Sequence, residues 1–347
     1  MTPGAAQAFD ALAAAMMAFI IAWAGTALMR RIALARRLLD VPNARSSHSV
    51  PTPRGGGVAI VAAATCALLL LGLRHRVDAQ LLVALLGGGS AIALVGFADD
   101  RRPVSPLIRL LVHFAAAIWT VAWLGGLPPL AIGSTIVVGH LMTSLFGIIA
   151  IVWALNLFNF MDGIDGIAAS EALFITWGAA LLGFSSASGN GALVFALAVG
   201  ASCLGFLYWN WPPAKVFMGD VGSGYLGYLW AALAIACARE RPLALAVWTV
   251  LGGVFLIDAT LTLLWRLARR ERIYEAHRTH AYQWLARRYR SHARVTALVL
   301  GLNICWLLPC AWFLSHFGDS AGWILIAALL PVALLCWAAG SGRAEVC

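Results

Sequence analysis

Long apolar stretches alternate with short polar segments along almost the whole chain. A helix needs about 20 apolar residues to cross the hydrocarbon core of a bilayer. Eleven stretches approach this length, and they lie near residues 8–29, 56–73, 79–97, 107–126, 139–158, 167–186, 190–208, 222–238, 242–265, 295–315 and 321–340. The pattern predicts an all-α polytopic membrane protein, a bundle of about 11 transmembrane helices. We expect residues 1–347 to form a single integral membrane domain, because no repeat or soluble-domain-sized insert interrupts the pattern.

The composition agrees with this fold class. Of 347 residues, 62% are hydrophobic and 11% are charged. Soluble folds do not tolerate so large an apolar fraction, whereas helix-bundle membrane proteins require it. The first apolar stretch lacks a basic segment before it, so we expect a retained membrane anchor rather than a cleaved signal peptide. The seven cysteines form no CxxC pair and no cluster with zinc spacing, which argues against redox or zinc chemistry.

The basic residues indicate an orientation in the membrane. If the eleven stretches alternate, the loops 30–55, 98–106, 159–166, 209–221 and 266–294 and the C-terminal tail share one side. With their edges, these segments hold 20 of the 24 lysines and arginines. Cytoplasmic loops carry such an excess, so we assign this side to the cytoplasm and expect the active-site loops there. Topology thereby explains the formal net charge of +9, and we expect no nucleic-acid partner.

Polar residues recur at every third position near the end of the fifth apolar stretch. These residues are Asn156, Asn159, Asp162 and Asp165, and on a helix each would neighbour the next on an adjacent turn. Two carboxylates with amide neighbours at a membrane edge suit a divalent cation or a proton transfer. The alternative is a helix end at which Asn and Asp satisfy backbone groups and glycine stops the helix.

A pair of aspartates, Asp99 and Asp100, follows the third apolar stretch. Adjacent carboxylates repel, so the pKa of one tends to rise unless a cation or the next two residues, Arg101 and Arg102, compensate. The four residues are equally compatible with a functional site and with charged topology determinants at the bilayer edge.

The segment 208–224 combines aromatic rings and a lysine with one carboxylate, Asp220, between glycines. A single carboxylate, together with phosphate oxygens and water, is the usual way for a protein to hold Mg²⁺. Phe217 or Trp211 can stack on a nucleobase, and Asn210 can hydrogen-bond the edge of that base. The alternative is an interfacial aromatic belt followed by the start of a helix.

The first cytoplasmic loop carries Arg54 and His48 beside the glycines 55–57. Glycine amides can approach a docked phosphate closely, and the two side chains can add positive charge. The favoured interpretation of this loop alone is a basic segment that grips anionic lipid.

The last long loop carries His277, Arg278, His280 and Gln283 within seven residues. The two histidines have the spacing of metal ligands, but no third ligand stands nearby. Recognition of a phosphate or a base fits this basic loop better. The following residues, through Arg294, predict a basic amphipathic surface helix.

Two acidic residues, Glu171 and Asp258, lie inside apolar stretches. Burial of such a charge at the bilayer centre costs on the order of 3 kcal/mol. For Asp258 we favour a contact between helices, with Arg266 or another helix as its partner. A pathway residue of a transporter is the alternative for both acids.

Five motifs occur in one order and on one predicted side of the membrane. They are Pro51-Thr-Pro-Arg-Gly-Gly56, Asp99-Asp100, Asn156-x-x-Asn159-x-x-Asp162-Gly-x-Asp165-Gly, Val216-Phe-Met-Gly-Asp220-x-Gly-Ser223 and the His-rich loop. Together they resemble the polyprenyl-phosphate N-acetylhexosamine-1-phosphate transferase superfamily, glycosyltransferase family 4. The resemblance spans roughly residues 41–284.

The resemblance implies a set of site residues and a cofactor. It implies Mg²⁺, with Mn²⁺ as a substitute, held by Asp220 and Asn156. It implies catalytic roles for Asp99, Asp100, Asp162 and Asp165. It assigns substrate-binding roles to Arg54, Asn159, Asn210, Lys215, Phe217, Gly219, Ser223, His277, Arg278 and His280.

The implied reaction joins a UDP-amino sugar to undecaprenyl phosphate in the bacterial inner membrane and releases UMP. Pro103 stands where some members have a third aspartate, so the part of that residue is not carried over. The sequence from His280 to Gln283 resembles the subgroup that starts O-antigen chains with N-acetylfucosamine-type sugars. A membrane aromatic prenyltransferase and a cation-coupled transporter are the alternative functions, and the sequence leaves the oligomeric state open, a homodimer included.

Overall fold

A computed structural model describes residues 3–42, 50–132, 135–184, 191–241, 243–271, 277–317 and 321–343. Fourteen α-helices account for most of these residues. They are α1 (Pro3–Ala35), α2 (Gly57–Leu73), α3 (Ala79–Arg101), α4 (Pro106–Leu124), α5 (His140–Met161), α6 (Ile167–Phe184), α7 (Gly191–Asn210), α8 (Asp220–Glu240), α9 (Leu243–Leu251), α10 (Gly253–Ala268), α11 (Ala281–Tyr289), α12 (His292–Leu302), α13 (Leu308–His316) and α14 (Ala321–Ala339). A short π-helix, Asn303–Leu307, joins α12 to α13. The prediction of an all-α polytopic membrane protein is confirmed.

The predicted count of 11 spans is not confirmed. Among the described residues, eight helices are long and apolar enough to cross a membrane. A ninth span results if α9 and α10, which meet at an angle of 73°, count as one. The helices α2 and α6 coincide with predicted stretches but are shorter than the other candidates. The length of the apolar stretches predicted the helices, but it did not reveal that α6 is as short as this or that the stretch 242–265 is broken into α9 and α10.

Two short antiparallel pairs of strands accompany the helices. Strand β1 (Leu39–Asp40) pairs with β2 (Thr52–Pro53), and β3 (Leu130–Ile132) pairs with β4 (Thr135–Val138). The sequence analysis did not predict either pair, because strands of two to four residues leave no detectable alternation. His48 lies outside the described residues.

Helix α8 occupies the centre of the bundle. All its residues from Val221 to Ala238 are buried, and it packs against α2, α3 and α5. Glycines allow the closest of these contacts: a Cβ atom on Gly57 of α2 would lie 2.5 Å from the Cα atom of Gly222 in α8. This packing places the beginning of α8 beside the ends of α3 and α5, where the acidic motifs lie.

Candidate active site

The acidic motifs meet at one end of the bundle. Asp99 and Asp100 lie in the last turn of α3, Asp220 is the first residue of α8, and Asp162 follows the end of α5. Helices α3 and α5 both pack against α8. The structure therefore brings together the carboxylates that the sequence assigned to one site, mostly on helix ends rather than in loops. The catalytic roles of these aspartates stay predictions.

Two arginines connect three of these carboxylates. The Nη2 atom of Arg54 lies 2.8 Å from Asp220 Oδ1 and 3.0 Å from Asp100 Oδ1. The Nη1 atom of Arg109 lies 2.7 Å from Asp99 Oδ2 and 3.4 Å from Asp220 Oδ2. Each oxygen of Asp220 thus contacts a different guanidinium, which fixes the orientation of the carboxylate.

Arg109 is the residue of this cluster that the sequence analysis missed as a site residue. It was counted only among the residues that set topology. It lies in the first turn of α4, beside an aspartate that also accepts a hydrogen bond of 2.6 Å from the backbone N–H of Val104. An arginine inside an apolar helix is costly unless it is paired, and that cost is the signal that could have identified it.

Carboxyl groups outnumber guanidinium groups in this cluster. Burial, and next the carboxylate of Asp220, raises the pKa of Asp162 well above its usual range. Burial acts to lower the pKa of Arg54, but the carboxylates of Asp100 and Asp220 outweigh it and raise that pKa. With Asp99 included, four carboxylates face two guanidiniums. This surplus of carboxylate oxygen is the chemistry that a divalent cation requires.

Asp100 caps the N-terminus of α8. Its Oδ1 accepts a hydrogen bond of 2.8 Å from the backbone N–H of Asp220, and its Oδ2 accepts one of 3.2 Å from Val221. Gly219 has φ of +80°, and a Cβ atom there would lie 2.5 Å from Asp100 Oδ2. Glycine is therefore required at this position, and Asp100 fixes the position of Asp220 from a neighbouring helix.

The glycine-rich loop holds the segment before α8 in place. The N–H groups of Gly56 and Gly57 donate to the carbonyls of Phe217 and Met218 at 2.9 and 2.8 Å, and the N–H of Phe217 donates to Pro53 at 2.8 Å. The expectation that these glycine amides face a phosphate is corrected for Gly56 and Gly57, because both are already used. Phe217 itself lines the main cavity, as a base-stacking ring would require.

Asn210 has a structural role. Its Oδ1 accepts a hydrogen bond of 3.0 Å from the N–H of Gly166, and its Nδ2 donates to the carbonyl of Val216 at 2.9 Å. Its residue surface is only 4% exposed. Asn210 therefore joins the turn after α5 to the loop before α8. It also lines the cavity, and base recognition by its amide stays a prediction.

Asp165 joins the same turn to two other segments. Its Oδ2 accepts a hydrogen bond of 3.0 Å from the N–H of Ala214, and its Oδ1 lies 3.2 Å from Nδ1 of His292. The hydroxyl of Thr296 donates to its backbone carbonyl at 3.0 Å. These contacts favour a role for Asp165 in positioning the turn after α5 over the predicted catalytic role.

The two asparagines of α5 face different neighbours. The Nδ2 atom of Asn159 donates to the hydroxyl of Ser223 in α8 at 3.1 Å, and Ser223 donates to the carbonyl of Gly219 at 3.2 Å. The Nδ2 atom of Asn156 donates to the carbonyl of Val152 one turn earlier, at 2.7 Å. Asn159, Ser223 and Gly219 therefore form a polar link between α5 and the start of α8, which carries the predicted metal ligand.

A polar cavity of about 930 Å³ opens beside the cluster. Asn159, Asp162 and Asp220 lie in its wall. Four arginines contribute to the same wall, namely Arg54, Arg278, Arg287 and Arg290. The sequence predicted a surface helix through Arg294, but α11 ends at Tyr289, so Arg287 lies in this helix and Arg290 directly follows its end. The sequence did not reveal that these arginines line the cavity.

A second, smaller groove of about 390 Å³ lies between α3, α4, α5 and α10. Its wall is mostly apolar, with side chains such as Ile92, Leu110, Phe114, Ile149 and Leu263. At its polar end it is lined by Asp99, Arg109, Asn156, Asn159 and Asp220. The cavity and the groove therefore share two residues, Asn159 and Asp220.

Four predicted substrate-binding residues lie outside the lining of the cavity, namely Lys215, Ser223, His277 and His280. His280 is buried behind it, 1% exposed, and its ring lies 4.9 Å from that of His277. Burial and the neighbouring His280 lower the pKa of His277 to about 3, so this ring is neutral at physiological pH. Lys215 is exposed and its Nζ lies 5.6 Å from the ring centre of Tyr208. Their positions do not support direct contact with a ligand in the cavity, and their substrate-binding roles stay predictions.

The two acids inside apolar stretches contact other helices. Asp258 of α10 accepts hydrogen bonds of 2.8 and 3.1 Å from the N–H groups of Ala281 and Tyr282, so it caps α11. Glu171 accepts a hydrogen bond of 2.6 Å from Nδ2 of Asn303 in the π-helix. The interpretation of Asp258 as a contact between helices is confirmed, although its partner is α11 and not Arg266.

Comparison with known proteins adds the family. Residues 82–238, from α3 through most of α8, match the model of glycosyl transferase family 4. Over these residues, which are less than half of the chain, the chain is similar to members of that family. The matched part includes Asp99, Asp162 and Asp220 but neither Arg54 nor α11.

Three relatives show what the family members are named for. A decaprenyl-phosphate N-acetylglucosaminephosphotransferase of Mycolicibacterium smegmatis is 30% identical over 167 residues, which cover 46% of this chain and 41% of the relative. An undecaprenyl-phosphate alpha-N-acetylglucosaminyl 1-phosphate transferase of Yersinia pestis is 30% identical over 153 residues, 43% of this chain and 40% of the relative. A probable undecaprenyl-phosphate N-acetylglucosaminyl 1-phosphate transferase of Bacillus subtilis is 28% identical over 178 residues, which cover 50% of this chain and 48% of the relative. The chain thus spans less than half the length of each of these relatives.

Proposed function

We propose that this protein transfers an N-acetylated amino sugar 1-phosphate from a UDP-sugar to undecaprenyl phosphate and releases UMP. The printed names of the relatives support the general class of reaction. The single observation that carries the proposal is the meeting of a polar cavity and an apolar groove at Asp220 and Asn159. A transferase that joins a soluble nucleotide sugar to a lipid needs two such spaces with one common point.

The polar cavity suits the donor. A UDP-sugar carries a diphosphate with two negative charges, and guanidinium groups bind such oxygens with paired hydrogen bonds. Arg54, Arg278, Arg287 and Arg290 line the cavity together with the ring of Phe217. The arginines would bind the diphosphate, and the ring would stack on the uracil.

The apolar groove suits the acceptor. Its wall offers aliphatic and aromatic side chains to a polyprenyl chain, and its polar end offers Arg109 to a phosphate. A phosphate monoester has a second pKa near 6, so at neutral pH it is mostly the dianion and already nucleophilic. Asp99, which pairs with Arg109 at 2.7 Å, therefore need not remove a proton.

The residues at the junction fit Mg²⁺. Among the described residues no group of three His, Cys, Asp or Glu side chains is arranged to hold a metal ion. Magnesium sites at phosphate substrates commonly use only one or two carboxylates, and substrate and water oxygens complete the shell. Asp220 would be the main protein ligand, with Asn156 beside it, and the surplus of carboxyl groups in the cluster supports this assignment. Bound there, the ion would neutralise diphosphate oxygens and stabilise the leaving UMP.

The chemistry is a direct displacement. An oxygen of the lipid phosphate attacks the phosphorus that carries the sugar. The bond between this phosphorus and the bridging oxygen breaks, and the bridging oxygen leaves with the electron pair as part of UMP. Phosphoryl transfer depends chiefly on positioning and on neutralising charge. Arg54 and Arg109, each in contact with Asp220, are placed to do both.

The site would face the cytoplasm of a bacterium, at the inner membrane, because the basic loops carry the positive charge typical of that side. There the enzyme would start a lipid-linked glycan such as O-antigen. The direct test is to incubate membranes that contain the protein with undecaprenyl phosphate, Mg²⁺ and a panel of UDP-amino sugars, and to follow UMP. We expect UMP release with one sugar, its loss with EDTA and its recovery with Mg²⁺ or Mn²⁺. No UMP with any sugar would refute the proposal.

A further inference from the structure

A histidine inside the apolar groove has no hydrogen-bond partner among the described residues. His113 lies in α4, one turn after Arg109, and lines the groove. Its Nδ1 atom is fully buried and unpaired. Buried polar atoms in folded proteins are nearly always paired, so an exception calls for a physical explanation.

The position of His113 in the wall of the groove indicates which kind of ligand would contact its imidazole. Residues four apart on a helix lie above one another, so His113 and Arg109 present one polar strip on a helix that is otherwise apolar. Arg109 marks the polar end of the groove, through its contacts with Asp99 and Asp220. His113 lies one turn farther along α4, between this polar end and the apolar wall. A ligand that is polar at one end and apolar along the rest would meet it at the point where the two parts join.

We propose that His113 donates a hydrogen bond to the phosphate of the polyprenyl acceptor, on the side where the lipid chain is attached. This inference rests on the proposed function, because it takes a lipid phosphate monoester as the ligand of the groove. Arg109 binds the same phosphate from the side of Asp220, and the two contacts aim the attacking oxygen toward the donor. His113 is thus a substrate-binding residue that contacts the phosphate of the acceptor and does not line the donor cavity.

The test separates acceptor binding from donor binding. In purified protein, His113→Leu removes both ring nitrogens and keeps an apolar side chain in the groove, whereas His113→Gln keeps a neutral donor. We expect His113→Leu to raise the KM for undecaprenyl phosphate about tenfold, the loss of one hydrogen bond to a charged group. The KM for the UDP-sugar should change less than about twofold, and His113→Gln should recover most of the acceptor KM. The control His316→Leu, in exposed α13, should leave both KM values unchanged.

A second measurement needs no turnover. Undecaprenyl phosphate should raise the Tm of the wild type more than undecaprenol does, because the alcohol lacks the phosphate. In His113→Leu that difference should shrink, while the response to undecaprenol stays the same. An unchanged acceptor KM, an equal rise of both KM values, or an undiminished Tm difference would overturn the inference. Absence of UMP in the wild type would refute the transferase proposal alone, since the Tm comparison tests binding of the lipid phosphate by itself.

Discussion

Two helices among the described residues are capped at their N-termini by an aspartate from another helix. Asp100 of α3 accepts hydrogen bonds from the first N–H groups of α8, and Asp258 of α10 does the same for α11. Both carboxylates act on unpaired N–H groups at a positive helix end, which is the most favourable place for an anion. The two caps are nearly the same in local geometry.

The surroundings of the two caps differ. Asp100 also pairs with Arg54 at 3.0 Å, and Arg54 reaches a polar cavity. Asp258 is buried and accepts its remaining hydrogen bonds from the hydroxyls of Thr262 and Ser341. The first cap thus lies beside guanidinium groups at a cavity that a ligand can enter. The second is enclosed by the hydroxyls of Thr262 and Ser341 and by the ring of His280, whose Nδ1 lies 3.8 Å from Asp258 Oδ1. Partners beyond the cap, and not the cap itself, separate an active site from a structural joint.

The largest effect that we expect is at the residue that the first cap positions. Asp220→Asn keeps the size of the side chain but removes the charge on which the metal assignment depends. Turnover should fall at least about a thousandfold, since a metal ion contributes several kcal/mol of transition-state stabilisation. UMP release measures it, and detergent-solubilised protein should elute as in the wild type. Near-normal turnover would refute the assignment of Asp220 as metal ligand.

Asp100→Asn tests the first cap itself. The amide can accept only one of the two backbone hydrogen bonds and loses the ion pair with Arg54. We expect turnover to fall about a hundredfold, because an error of about 1 Å in the position of a reacting group has an effect of that size. The KM for the UDP-sugar should change little. If only the Tm fell and turnover were retained, the two caps would be equivalent and the comparison would fail.

Asp258→Asn is the matched variant at the second cap. It should lower the stability by about 2 kcal/mol and the Tm by roughly 5 °C, because hydrogen bonds to a charged group are lost. The turnover of the folded fraction should stay within about threefold of the wild type, an effect that corresponds to well under 1 kcal/mol. A hundredfold loss of turnover without a change in Tm would show that α10 carries chemistry that the structure does not indicate.

The smallest effects concern the basic residues around the cavity. Arg287 lines the cavity, with its guanidinium 4.6 Å from the ring centre of Trp284, so Arg287→Ala should raise the KM for the donor about tenfold. Lys215→Ala should change it less than about twofold, because Lys215 does not line the cavity. Initial rates at varied UDP-sugar concentration measure both. Equal effects would mean that Lys215 reaches the donor after all.

The sequence predicted the helices and the acidic motifs well, for a physical reason. Apolar stretches of membrane length and the spacing of Asn156, Asn159 and Asp162 are local features, and local features are visible in a sequence. What α8 contacts is not local: only the folded chain shows that Asp100 caps it or that Arg109 pairs with Asp220. For the same reason the sequence did not reveal that the amide of Asn210 joins two loops.

The location of the donor tests the central claim most directly. Cryo-electron microscopy of the purified protein with a UDP-amino sugar and Mg²⁺ would show where the diphosphate lies. We predict its density in the polar cavity, between Asp162 and Asp220 and next to Arg54, with the open groove beside it. Density of the donor inside the apolar groove, or at a distance from Asp220 too great for a shared ion, would contradict the account.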